Sequence, residues 1–99
     1  MTKNELINII LDIEAQLSVF YPRTLLYDNV CFILPSGLLF NLDCDPKTES
    51  IITRYAFDFD AAEDNNFAEF NTLPVSGASI GDLLFDCLNQ IKALDNFNL

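Results

Sequence analysis

The sequence predicts a small α+β protein. It is read as an antiparallel meander of three to four strands, with an N-terminal and a C-terminal helix packed on one face, in the order α-β-β-β-(β)-α. Three observations carry this expectation. Apolar residues near each end recur at helical spacing, the segments between them alternate with period two, and Pro, Gly and Asp clusters punctuate those segments. The 99 residues make one domain, residues 1–99, without room for a second core.

The first helix opens at Thr2-Lys3-Asn4-Glu5, a capping box in which Thr2 accepts from the Glu5 backbone and Glu5 reaches back. It is expected to run to about Phe20, because Pro22 and the residue before it resist helical dihedrals. Leu6, Ile10, Ile13, Leu17 and Phe20 share a face, widened by Ile9. Ile7 and Leu11 lie to one side, which calls for a second element or a second chain to cover them.

Strands come next. Val30–Leu34 is rich in strand formers and is followed by the turn signal Pro35-Ser36-Gly37. In Leu38–Cys44, the residues Leu38, Phe40, Leu42 and Cys44 share one face, and Asn41 and Asp43 the other. The Asp45–Glu49 segment turns the chain. From Ser50 to Asp60 one face collects Ile51, Thr53, Tyr55, Phe57 and Phe59, and the other Ile52, Arg54, Ala56, Asp58 and Asp60. An acidic loop follows, and residues 67–73 form either a fourth strand or a loop tethered by Phe67 and Phe70. Ser79 or Ser76 caps the last helix, in which Ile80, Leu83, Leu84, Cys87, Leu88, Ile91 and Leu94 follow the helical template.

Charge narrows the function. Fifteen acids against five bases give a formal net charge of −10. Nucleic acid and anionic membranes attract Lys and Arg, so direct binding to either is unfavourable. A basic protein surface is attracted instead, and its encounter accelerated. Three Cys at irregular spacing and no His fit neither a disulfide framework nor a zinc site, and point to a reducing, cytoplasmic setting. The charged N-terminus resembles neither a signal peptide nor a spanning helix.

Catalysis finds few candidates. Without His, the usual proton carrier near neutral pH is missing, and a Cys or Ser nucleophile lacks its usual base. Cys44 stands between two acids, and Cys31 and Cys87 fall in apolar patterns. The pair Asp58/Asp60 keeps a carboxylate-based enzyme only as a distant third reading. A calcium loop beginning at Asp58 would place Glu69 twelfth, but it has Ala62 and Glu63 at positions five and six and a strand pattern before it, so the match is coincidental. The glycines before the last helix lack the Lys of a phosphate loop. No cofactor is expected.

The charge pattern remains. Asp58 and Asp60 project side by side on the expected strand, about 6.7 Å apart, next to Asp43 and Asp45 if their strands pair. Glu63, Asp64 and Glu69 extend the array along the loop, and Asp82 and Asp86 on the last helix surround an outward-facing Phe85. These ten residues are the candidate partner-binding set. The expected function is a small acidic inhibitor of a basic, nucleic-acid-handling protein. It takes either of two forms: a phage-type, anti-CRISPR-like anti-defence factor with nucleic-acid-mimic character, or an immunity protein for a toxin such as a nuclease. The alternative is a homodimeric adaptor or chaperone using Ile7 and Leu11.

Overall fold

The computed structural model describes residues 1–97, with side chains through residue 96. Helix α1 (Lys3–Leu17) leads into strands β1 (Arg23–Leu26), β2 (Asn29–Ile33), β3 (Leu39–Asp45) and β4 (Ser50–Ala56). A short helix α2 (Phe59–Glu63), strand β5 (Ala68–Pro74) and helix α3 (Ile80–Phe97) complete the chain. The five strands form one antiparallel sheet in sequence order. This is the expected α+β meander with an added first strand, and residues 67–73 belong to a strand.

Both long helices pack on one sheet face, as expected. Leu6, Ile10, Ile13 and Leu17 of α1 and Leu83, Cys87, Ile91 and Leu94 of α3 meet Phe32, Phe40, Leu42 and Ile51 of the sheet. The cross-strand pair Phe32–Phe40 is fully buried at its centre. One polar bond ties α3 to the sheet: the Thr53 hydroxyl donates to Gln90 Oε1 at 2.6 Å and accepts from the Asn71 backbone at 3.0 Å. Both helix starts are capped, α1 by the Thr2–Glu5 box and α3 by the Ser79 hydroxyl, which accepts from the Asp82 N–H.

Three boundaries differ from the sequence reading. α1 ends at Leu17, where the chain tightens into successive turns through Tyr21, and Phe20 leaves the stripe and is exposed. β1 was hidden because Arg23–Leu26 has no alternation and its hairpin turn lacks Gly. Tyr27 and Asp28 take φ of 50° and 60°, a left-handed pair that Asn-Gly adopts with far less strain. The double variant Tyr27→Asn/Asp28→Gly is therefore expected to raise stability by about 1 kcal/mol, read from the urea midpoint.

The third difference reshapes the acidic stretch. β4 stops at Ala56, since its neighbours stop there too: β3 begins opposite it at Leu39, and β5 begins at Ala68 opposite Tyr55. Beyond that point no ladder exists for Phe57–Asp60. Asp58 instead caps α2, its side chain accepting from the Ala61 N–H at 2.8 Å. Phe57 and Phe59 are consequently exposed rather than buried. Asp58 and Asp60 are not neighbours on a strand.

Helix α2 lies on the second sheet face, where Ala62 packs with Cys31, Leu39 and Ala56. That face, expected to be solvated, holds a small core of its own.

Candidate functional site

The predicted carboxylates do not form one array. Asp45 lies opposite Ser50, at the far end of β4 from α2, and Asp43 opposite Ile52, toward the middle of the strand. Four residues of strand separate Ile52 from Ala56, about 13 Å, so Asp43 and Asp45 are not adjacent to Asp58 and Asp60. Asp45 also has a local role, accepting from the Lys47 N–H within the hairpin turn.

A second group stands at the other end of the sheet. Asp60, Glu63 and Asp64 are exposed on and just after α2, and Glu69 is exposed on β5 opposite Arg54. Asp58 flanks this group but is held by its cap. The third group, Asp82, Phe85 and Asp86, is exposed on α3. Gln90 bonds Thr53, and Asp95 accepts from the Ser36 N–H at the β2–β3 turn. These contacts fix the direction of α3 and place Phe85 toward the Ser50 end of β4, away from α2.

Arg54 belongs to the fold rather than to the rim. Its Nε and Nη2 donate to Asn41 Oδ1, Nη2 reaches Asn29 Oδ1 at 3.4 Å, and Asp43 lies 3.9 Å from Nη1. The guanidinium sits 4.7 Å above the Phe67 ring. Asn41, itself buried, donates to the Val30 carbonyl, and Asn29 donates to Asn65 just after α2. This chain of bonds fastens α2 and β5 to the sheet. The side chains of the four acids Asp60, Glu63, Asp64 and Glu69 stay without a hydrogen bond or ion pair among the described residues.

What sequence reasoning missed is aromatic. The rings of Phe57 and Phe70 both meet half-buried Tyr55 edge-on, with centroids 5.5 Å and 6.3 Å away. Phe57 is 67% exposed and Phe59 45%, next in sequence to Asp58 and Asp60. Phe70 occupies the irregularity between Thr53 and Arg54 pairing, beside Glu69, which turns its ring toward Tyr55. The end of the sheet thus holds the Phe57 and Phe70 rings against Tyr55, on the long-helix face, while α2 carries its carboxylates on the other. The signal was present in Asp58, a strong helix cap before Ala61-Ala62-Glu63, but the alternation of Phe and Asp matched a strand equally well.

Chemistry at the two buried cysteines is suppressed. Burial pushes the Cys87 thiol up to about 12 and raises that of Cys31. Among the described residues, no three His, Cys, Asp or Glu side chains converge to hold a metal ion. No helix among them is long and apolar enough to cross a membrane. No protein-family model, curated protein or solved structure matches this chain.

Proposed function

We propose that this protein binds and blocks a basic, nucleic-acid-handling protein, and that its working surface is the α2 end of the sheet. The observation that carries this reading is one sheet end that exposes both rings and acids: Phe57 and Phe70 against Tyr55, which packs on the long-helix face, and Phe59, Asp60, Glu63 and Asp64 on and just after α2 on the other face, with Glu69 on β5. Rings anchored on Tyr55 lose little freedom on binding and offer their faces to Lys and Arg, while the carboxylates steer the encounter. Solubility alone explains the placement less well. None of the three helices has a basic residue in its last turn, and Glu63 and Asp64 sit at the C-terminal end of α2, where an acid gains nothing from the helix dipole. Acids at such positions add nothing to the fold, which leaves them free for a partner.

Within this reading the protein acts by occupancy, without catalysis, and an anti-defence inhibitor and a toxin-immunity protein are two settings for the same surface. The test is capture from a lysate at low ionic strength, identification of the basic protein retained, and reconstitution from purified components. The variant Asp60→Lys/Glu63→Lys/Asp64→Lys/Glu69→Lys leaves the Asp58 cap intact. It is expected to weaken binding by at least about 100-fold while the fold persists. Unchanged affinity, or affinity indifferent to salt, sinks the proposal.

Exposed Ile7 and Leu11 on α1 favour one second reading, a homodimeric adaptor, for which sedimentation at micromolar concentration is expected to give a dimer.

A further inference from the structure

Helix α1 leaves part of its sheet face uncovered. Beyond its outer flank, β1 and β2 present Leu25 and Val30, so that a groove runs between the helix and the first hairpin. It comprises two adjoining depressions of about 270 Å³ and 370 Å³, both lined by Leu11, Glu14 and Val30. Its walls are mixed: exposed Leu11, Leu25 and Ile7 supply the apolar part, while Lys3, Asp28 and Asp43 line the first depression and Arg23 and Thr24 the second.

At the junction lies a charged residue. Glu14 is only 4% exposed, and its carboxylate makes no hydrogen bond or ion pair among the described residues. Arg23 lines one depression and draws the acid toward ionisation, yet burial outweighs it and raises the Glu14 pKa. Every fully enclosed side-chain oxygen and nitrogen among the described residues has a partner. The unpartnered Glu14 oxygens therefore keep access from the groove. A carboxylate in the last turn of α1 also faces the negative end of the helix dipole, so nothing in its own helix stabilises its charge.

We infer that this groove receives an Arg or Lys side chain of a cationic protein partner, its aliphatic stem along Leu11, Leu25 and Val30 and its charged head on Glu14. A long basic side chain suits the apolar residues with its stem and the buried carboxylate with its head. A second copy of this chain fits less well, since its Ile7 and Leu11 meet only the apolar part. Two molecules of net charge −10 repel, and a two-fold contact would bring a second Glu14 toward the first. This assignment deepens the proposed capture of a basic protein by giving it a second anchor. It is tested apart from the α2 surface.

The probe is the blocked peptide acetyl-Gly-Leu-Arg-Leu-Gly-amide, titrated into the full chain and followed by backbone amide shifts. Its counterpart carries citrulline, which keeps the shape and removes the charge. Saturable shifts are expected at Leu11, Glu14, Leu25 and Val30. They should weaken about tenfold with Glu14→Gln or with the citrulline peptide, and strengthen with Arg23→Gln, which removes the competing cation. Glu14→Gln should be no less stable than the parent at neutral pH, since it discharges a buried carboxylate, so lost binding is not lost folding. Several results overturn the assignment: no saturable shifts in the groove, equal binding of the citrulline peptide, or affinity unmoved by Glu14→Gln. Groove shifts that grow with protein concentration alone, together with a sedimenting dimer, hand the groove to a second copy. The peptide result is independent of the Asp60/Glu63/Asp64/Glu69 variant, so either surface can fail without the other.

Discussion

Replacing Arg54 with Leu is expected to cost about 3 kcal/mol, a large share of the stability of a domain this size. Arg54 is the only base between Lys47 and Lys92, and at a surface position such a residue would contribute little. Here its fork satisfies Asn41 Oδ1, which is buried on β3, and its plane lies over Phe67. A Leu leaves that amide oxygen with no donor in a dry site and frees the β5 entrance from the sheet. Lys is expected to recover little, because a single ammonium cannot reproduce the fork or stack on the ring. The coupling is checked by a double-mutant cycle read in urea. Asn41→Leu/Arg54→Leu removes both partners and should be less unstable than Arg54→Leu alone, whereas additive costs would show that the contact contributes nothing. Loss of the base also makes the acidic end more negative, so a stability defect accompanied by undiminished capture would separate the structural role of Arg54 from the partner surface.

The elements legible in the sequence were those in which local and long-range signals agree. The Thr2 and Ser79 caps, the two helical stripes, and the shared face of Phe40, Leu42, Ile51 and Thr53 all follow from spacing, and the structure packs them together. The burial of Glu14 went unanticipated, although the residue falls between Ile10 and Leu17 on the apolar side of α1. The failures occurred where two templates fit one stretch. Phe57–Asp60 satisfies both a strand alternation and a capped helix start, and the decision rests with neighbours the stretch cannot see, since β3 and β5 offer no ladder past Ala56. β1 failed for the opposite reason. Arg23–Leu26 has almost no pattern of its own and becomes a strand because β2 presents an edge to it. The placement of Asp43 and Asp45 depended on pairing register, which sets Asp45 at the opposite end of β4 from α2 and Asp43 toward the middle of the strand, and which no single stretch encodes.

Removing the rings of Phe57 and Phe70 together is expected to weaken capture of the basic partner by about 100-fold or more, the scale of a pair of interface anchors. The reason is geometric. Both rings rest edge-on against Tyr55, whose own position is set by the sheet, so they reach the interface already ordered. Carboxylates on long mobile side chains cannot do this, and rim charges act mainly on the rate of encounter and its salt dependence. The double variant Phe57→Ser/Phe70→Ser should accordingly raise the dissociation rate and leave the salt dependence of association intact, while reversal of Asp60, Glu63, Asp64 and Glu69 should do the reverse. Its cost in stability is expected to be small, about 1 kcal/mol, because Phe57 is 67% exposed and Phe70 38%. Phe85 supplies the comparison: it is 64% exposed among acids of its own, yet it stands on α3 toward the other end of β4. Surface-plasmon measurements on the three variants decide between the faces. If Phe85→Ser abolishes capture and Phe57→Ser/Phe70→Ser does not, the partner sits on α3, and the aromatic end of the sheet is only the place where β4 runs out of neighbours.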